Sequence, residues 1–165
     1  MTSPQPTLAG FLTFLQTNLN PPAKALPAGS PWPGFALARS LALVNPALEC
    51  DPIPSTDAAG VSLNSGGWTI YSLACYYLST DILINIAPDQ PGFTFFADLR
   101  KSFNIGGYIS GVVQASSDEG TSVSLVVQEA AQHFTLSDIQ RLKTPYGAQY
   151  LMLAQSWGPT TFGMS

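Results

Sequence analysis

The segment from Trp68 to Ala87 constrains the fold of this chain most strongly. At helical spacing, apolar side chains cover two neighbouring sides of it, at Trp68, Ile70, Tyr71, Leu73, Ala74, Cys75, Tyr77, Leu78 and Ile82. The polar stripe is narrow and consists of Thr69, Ser72, Tyr76 and Ser79. Because a helix that is apolar over most of its circumference packs on several sides, the sequence predicts a central helix here. Asp81 lies near the edge of the polar stripe, where we expect a solvated carboxylate.

Two helices are predicted before this central segment. The first is marked by apolar residues at helical spacing, with Ser3-Pro4 as its start and Pro21-Pro22 as its end; its stripe is Leu8, Phe11, Leu12, Leu15 and Leu19. Residues 20–33 are rich in proline and predict a loop. The second helix is expected from Gly34 to Val44, where Asn45-Pro46 stops it. A further loop is predicted over residues 49–65.

Three helices are predicted after the central segment. One covers Phe93 to Phe103, with Phe96, Leu99 and Phe103 on its buried face and Arg100 and Lys101 pointing away from that face. A short helix is expected from Ser137-Asp138 to Leu142. Thr144 is the expected cap of the last helix, with Pro145 in its first turn and Trp157 at its end. Its predicted buried face is Tyr146, Tyr150, Leu153, Ala154 and Trp157.

Residues 108–127 predict a β-hairpin between these helices. Alternating apolar residues mark both strands: Ile109, Val113 and Ala115 on the first, and Val123, Leu125 and Val127 on the second. Asp118-Glu119-Gly120 supplies the turn. An isolated hairpin is only marginally stable in water, so we expect it to lean on the helices or on another subunit.

These elements predict a mainly α fold. It is a bundle of five to six helices with one protruding β-hairpin and an extended C-terminal tail. Residues 1–157 form a single domain, because no internal repeat and no linker divides them, and residues 158–165 form the tail.

The composition favours a protein that assembles with other subunits. The chain has 165 residues, of which 45% are hydrophobic and 10% are charged, whereas soluble domains usually carry about 25% charged residues. A monomer with so few charges has little polar surface to offer to water, so permanent contacts with other subunits are expected. The alternative is a compact monomer whose surface is rich in Ser, Thr, Gln and Gly.

The charge pattern argues against nucleic-acid binding and against membrane insertion. The net charge is −4, and the six cations are scattered in ones and twos, whereas binding to phosphates requires clustered cations. No basic leader precedes the first cation, Lys24, so we expect no signal peptide. The uncharged stretch from Ala58 to Thr80 is interrupted by Ser, Asn and Gly, which argues against a membrane span.

No motif predicts catalysis, cofactor binding or metal binding. His133 is the only histidine, and no Gly-x-Ser-x-Gly sequence accompanies it. Cys50 and Cys75 lack zinc-site spacing and are expected to be buried reduced thiols. The sequence Gly106-Gly107-Tyr-Ile-Ser-Gly111 lacks the Lys-Ser/Thr of a phosphate loop. We therefore expect no enzyme activity, with His133 or a carboxylate pair as the place to look if there is one.

Several of these segments together resemble the head–tail adaptor (head-completion) proteins of tailed bacteriophages. The resemblance covers about residues 35–158: a proline-rich entry, the long helix with Tyr71-Ser-Leu-Ala-Cys-Tyr-Tyr-Leu78, the hairpin from Gly111-Val-Val-Gln-Ala to Val123-Ser-Leu-Val-Val127, and Thr144-Pro-Tyr-Gly-Ala-Gln-Tyr150. The segment that carries it most is Thr144, Tyr146, Gly147 and Tyr150. The loops at 20–33 and 51–67 have no counterpart in that pattern.

This resemblance implies a structural virion protein of the phage neck, assembled in the host cytoplasm. Twelve copies would form a ring under the portal protein, extend the channel for double-stranded DNA without binding it specifically, and offer a platform to tail or neck proteins. The implied portal-docking tail includes Pro159, Thr160, Thr161, Phe162 and Met164. The implied hairpin contact with a neighbouring subunit or the next ring consists of Ser117, Asp118, Glu119 and Gly120.

Two alternatives remain open at this point. One is another phage neck or tail ring subunit, such as a stopper or tail terminator, which is typically richer in β-structure. The other is a small intracellular enzyme or ligand-binding domain that uses His133 or two carboxylates. It predicts a stable monomer with a deep pocket.

Overall fold

The described part of the chain is mainly helical. The structure is a computed structural model, which describes residues 5–46, 48, 68–106, 116–118, 121–123 and 140–157. Its helices are α1 (Leu8–Asn18), α2 (Pro31–Leu43), α3 (Ile70–Ile86), α4 (Phe95–Ser102) and α5 (Pro145–Trp157). Two short strands, β1 (Ser116–Asp118) and β2 (Thr121–Val123), lie between α4 and α5 in the chain.

Helix α3 is the centre of this arrangement and contacts each of the other four helices. Its apolar circumference predicts this position. On one side of it lies a core cluster formed with α1, α2 and α4, which contains Phe11, Phe14, Leu15, Leu37, Tyr76, Leu83 and Phe96. A second cluster is formed with α5 and the end of α2, and it contains Val44, Leu48, Ala74, Cys75, Leu78, Tyr150 and Leu151. Both clusters therefore depend on α3.

A threonine hydroxyl caps three of the five described helices. The hydroxyl of Thr7 accepts the backbone N–H of Gly10 at 3.1 Å at the start of α1, and that of Thr69 accepts the N–H of Ser72 at 3.0 Å at the start of α3. Thr144 caps α5 in the same way, which confirms the prediction for that residue. The predicted start of α1 at Ser3-Pro4 is wrong, because Thr7 already satisfies the first turn and the helix begins at Leu8.

Helix α2 begins inside the segment that its prolines predict to be a loop. Pro31 is its first residue and Pro33 is buried in its first turn. The first backbone N–H groups of a helix have no partner within the helix, so proline is tolerated there. The prediction of a loop up to residue 33 is therefore wrong, while the predicted stop near Asn45-Pro46 agrees with an end at Leu43.

The apolar stripe of α1 is rotated relative to the prediction. Phe11, Phe14 and Leu15 are buried, whereas Leu8 and Leu12 are largely exposed. Phe14 makes ring contacts with Trp68, Tyr76 and Tyr77, at centroid distances of 5.5, 5.7 and 5.1 Å. Aromatic contacts of this kind bury more surface than a leucine does, and they set the face of α1 that turns inward.

The two short strands pair with each other in an antiparallel register. Ser116 is opposite Val123, Ser117 is opposite Ser122, and Asp118 is opposite Thr121. The remainder of the segment predicted as a hairpin, residues 108–115, 119–120 and 124–127, lies outside the described residues. A protruding hairpin and the exact number of helices in the bundle therefore stay predictions.

Candidate functional site

A line of buried polar side chains on α3 is the most distinctive feature of the described part. It includes the predicted polar stripe, and its members are Thr69, Ser72, Tyr76, Ser79, Thr80 and Asp81. None of them faces solvent to any large extent, and within the described residues every buried side-chain nitrogen or oxygen has a hydrogen-bond partner. The polar side chains of this stripe form hydrogen bonds within the protein, several of them to other helices, and they are not exposed to solvent.

Two of these joints tie α3 to the first two helices. The hydroxyl of Tyr76 accepts the backbone N–H of Thr7 at 3.1 Å and lies 3.3 Å from the carbonyl oxygen of the same residue. The hydroxyls of Ser79 and Ser40 lie 2.7 Å apart, and both residues are fully buried. Such satisfied buried pairs fix the register of one helix against the next, since a shift would leave both partners unpaired.

The third joint ties α3 to the start of α5 and involves a carboxylate. The hydroxyl of Thr144 donates to Oδ1 of Asp81 at 2.5 Å. The same hydroxyl oxygen accepts the backbone N–H of Gly147 at 2.9 Å, which is the cap of α5. Asp81 is 5% exposed, so the prediction of a solvated carboxylate is wrong. The sequence pattern failed here because it located Asp81 relative to α3 alone, whereas α5 covers it.

Burial raises the pKa of Asp81 from its ordinary value of 3.8 to about 6. The removal of water from the carboxylate is the largest cause, because it disfavours the charged form. Hydrogen bonds from Thr144 and Asn85 and the positive charge of Arg141 act in the opposite direction and lower the pKa. Burial outweighs them, so this carboxylate changes its charge in a mildly acidic range.

The glycine of the Thr144-Pro-Tyr-Gly segment is required by close packing. A Cβ atom on Gly147 would overlap the carbonyl oxygen of Arg141 and lie 2.9 Å from its carbonyl carbon. The backbone before α5 therefore folds tightly over the first turn of the helix. Arg141 stands above the ring of Tyr150 at 5.4 Å. The segment that carries the resemblance in the sequence is thus a closely packed helix start.

The start of α4 also uses a carboxylate, but in a different setting. Oδ1 and Oδ2 of Asp89 accept the backbone N–H groups of Phe96 and Ala97 at 2.7 and 2.8 Å. Arg100 lies 3.6 Å from the same carboxylate and donates to the carbonyl oxygens of Ile84 and Ala87, at 3.0 and 2.8 Å. The prediction that Arg100 points away from the packed face is therefore wrong, because it joins α4 to the end of α3.

The outer faces of α1 and α2 are almost free of charge. Among the helical residues of α1, α2, α3 and α5, the charged ones are Arg39 and Asp81. The exposed large apolar side chains of α1 and α2 are between 38% and 51% accessible and are Leu8, Leu12, Phe35, Leu41 and Leu43. The hydroxyls of Thr13 and Thr17 donate to carbonyl oxygens one turn earlier in α1. The hydroxyl protons of these two threonines are therefore not free to bond to water.

A shallow groove beside α4 was considered as a site for a ligand or a reaction. A surface groove of about 320 Å³ beside α4 is lined by Phe95, Asp98, Leu99 and Ser102. It offers one carboxylate and one hydroxyl, and the hydroxyl of Ser102 is bonded to the carbonyl oxygen of Leu99. Across the described ranges, no cluster of three His, Cys, Asp or Glu side chains is arranged to hold a metal ion. In the same part of the chain, no helix is sufficiently long and apolar to span a membrane.

Most of the residues singled out in the sequence lie outside the described part. This holds for the tail residues Pro159, Thr160, Thr161, Phe162 and Met164, and also for Glu119, Gly120, Cys50 and His133. Ser117 and Asp118 lie in β1. Cys75 is fully buried, as predicted. The signal that could have indicated Asp81 is its isolation, since it is the one charged residue in a long uncharged helix.

Comparison with known protein families, with curated proteins and with solved structures finds no match to this chain.

Proposed function

We propose that this protein is a structural subunit of a ring, and specifically a head–tail adaptor of a tailed phage. In this proposal twelve copies lie under the portal protein in the virion neck, extend the DNA channel and provide the docking platform for tail or neck proteins. The observation that carries the proposal is the outer face of α1 and α2, which exposes five large apolar side chains and carries Arg39 as its one charged residue. No catalytic role is part of it.

The exposed side chains of this face support contact with another copy. Five large apolar residues on two neighbouring helices are each more than a third accessible, and Arg39 is the one charge in these helices. Burial of apolar surface stabilises association by about 25 cal/mol per Å². Contact between this face and a different face of the next copy is heterologous, and a heterologous contact closes into a ring when the rotation allows it.

The fold and the charge are consistent with the same role. The mainly helical body favours an adaptor over a stopper or tail terminator, which are typically richer in strands. The net charge of −4 suits a channel wall that must not retain the passing DNA. In this proposal residues 158–165 dock on the portal through Phe162 and Met164, and residues 117–120 contact a neighbouring subunit or the next ring.

Electron microscopy of the tagged protein, purified from cells that produce the particle, tests the proposal. We expect end-on views with twelve-fold symmetry, either as free rings or as rings stacked on a portal. A lone globule without a large co-purifying partner would contradict it. Deletion of residues 159–165 should leave a folded protein that no longer co-purifies with the portal.

A pair of charge variants tests the proposed face itself. Phe35→Glu places a carboxylate at the centre of the exposed face of α2 and should abolish rings while the circular dichroism spectrum is preserved. Ala97→Glu adds the same charge at an exposed position of α4 and should assemble normally. Rings from Phe35→Glu with the wild-type yield would show that this face is not the interface.

A further inference from the structure

Asp81 is linked through the Thr144 hydroxyl to the first turn of α5, so its charge affects how α5 is held against α3. It is the only charged residue of α3, and its carboxylate accepts a hydrogen bond from the Thr144 hydroxyl. That hydroxyl in turn accepts the N–H of Gly147 in the first turn of α5. One side chain of the central helix thus determines how the cap of the last helix is oriented.

The groups around Asp81 contain one charge of opposite sign. Arg141, in the segment that precedes α5, acts on the carboxylate through its positive charge, and Asn85 on α3 donates to it at 3.4 Å. Among the described residues, Tyr77 on α3 and Tyr146 on α5 also carry titratable groups, and Lys143 precedes Thr144 in the chain. Burial raises the pKa of both tyrosines above the ordinary value of 10.0, so they stay neutral from pH 4 to pH 8. Asp81 is the group that titrates.

We propose that Asp81 and Thr144 form a protonation-sensitive latch that sets how firmly α5 is held against α3. With Asp81 neutral, the site buries no unbalanced charge and α5 is held firmly. With Asp81 ionised, the site holds a carboxylate that has lost its water, and separation of the start of α5 from α3 restores that water. A rise in pH therefore promotes local opening of α5.

The latch is a property of the single chain and does not depend on the proposed ring. Its consequence reaches further, because α5 leads directly into residues 158–165. Local opening of a helix is an equilibrium with its own free energy, so a change of one charge at Asp81 alters how often the start of α5 leaves the core. The latch therefore responds to pH.

Hydrogen–deuterium exchange of the full chain at pH 5 and pH 7.5 tests the latch, with each rate corrected for intrinsic exchange. We expect the opening equilibrium of α5 to increase by about tenfold between these pH values, while α4 changes little. Asp81→Asn should remove this response and keep α5 as protected at pH 7.5 as the wild type is at pH 5. Equal pH responses of α4 and α5, or a wild-type response in Asp81→Asn, would overturn the proposal.

A matched control and a second measurement keep the test decisive. Asp98 on α4 also accepts a threonine hydroxyl, that of Thr94 at 2.8 Å, but at an exposed site. Asp98→Asn should therefore leave the exchange of α5 as in the wild type. If Asp81→Asn fails to fold, a pH titration of the side-chain carboxyl carbon (Cγ) of wild-type Asp81 by NMR decides the matter: a midpoint near 6 supports the latch, and an unperturbed midpoint of about 4 overturns it.

Discussion

The starts of α4 and α5 show two ways of placing a carboxylate at a helix N-terminus. At α4, Asp89 accepts two backbone N–H groups directly, its side chain is 15% exposed, and a guanidinium lies 3.6 Å away. At α5, a threonine hydroxyl stands between Asp81 and the helix, and the carboxylate is 5% exposed. Both carboxylates oppose the positive end of a helix dipole.

The difference lies in what replaces the water that each carboxylate has lost. Asp89 has two N–H donors and Arg100, which together replace most of its hydration. Asp81 has one hydroxyl at short distance, an amide at 3.4 Å and the more remote charge of Arg141. Incomplete replacement raises the pKa of Asp81 to about 6. The start of α5 is therefore a joint that a proton on Asp81 strengthens.

The substitution Thr144→Val breaks the α5 joint and is expected to have the largest effect. It removes the donor to Asp81 and the acceptor for the Gly147 N–H while it preserves side-chain volume. The buried carboxylate then loses its shortest hydrogen bond and the buried N–H loses its acceptor, so the free energy of unfolding should fall by about 3 kcal/mol, as measured by urea denaturation. Thr94→Val, at the exposed Thr94–Asp98 pair, should change it by less than about 0.5 kcal/mol. Equal losses in the two variants would contradict the comparison.

Gly147→Ala tests the tight backbone that precedes α5. The added methyl group meets the carbonyl group of Arg141, and overpacking of this kind costs about 2 kcal/mol. Gly34→Ala is the matched control, because a Cβ atom on Gly34 in α2 meets nothing within 4 Å. That variant should gain about 0.5 to 1 kcal/mol from helix propensity. In thermal unfolding, Gly147→Ala should lower the melting temperature and Gly34→Ala should raise it. If the close contact is absent, both variants should raise it.

Asp89→Ala breaks the α4 joint and should cost less than Thr144→Val. It removes the acceptor for two N–H groups, but that of Ala97 is at an exposed site and can bond to water. Arg100 also keeps its bonds to the carbonyl oxygens of Ile84 and Ala87. We expect a loss of about 1.5 kcal/mol in urea denaturation, within the range for removal of an N-cap. A loss greater than that of Thr144→Val would reverse the order of the two joints.

Much of this fold could be predicted from local signals in the sequence. The helices and their caps are determined largely by residues that are close together in the chain. The central helix followed from its own apolar circumference, and Thr144-Pro145 marked the start of α5 through the chemistry of helix caps. The predicted loop extended too far, to residue 33, because Pro31 is equally compatible with a loop and with a first helical turn.

The features that the sequence did not predict depend on contacts between distant residues. Asp81 and Thr144 are 63 positions apart, and Tyr76 and Thr7 are 69 apart. A threonine or serine at helical spacing has the same pattern whether it faces solvent or another helix, so the polar stripe of α3 could not be recognised as buried. The inward-facing side of α1 could not be predicted for a similar reason. It is set by contacts of Phe14 with aromatic rings of Trp68 and of α3, which are distant in the sequence.

The pH dependence of stability provides the smallest expected effect and the sharpest test of the comparison. The pKa of Asp81 is raised in the folded state, to about 6 from an ordinary 3.8, so the folded protein binds more protons than the unfolded chain between these values. The free energy of unfolding therefore falls as the pH rises through this window. Other carboxylates contribute as well, so the quantity to measure is the difference between wild type and Asp81→Asn. From pH 5 to pH 7.5 this difference should shift by about 1 to 1.5 kcal/mol in favour of the variant. Because the asparagine cannot ionise, a difference that is constant over this range would show that Asp81 stays charged throughout, and that the two joints differ in geometry alone.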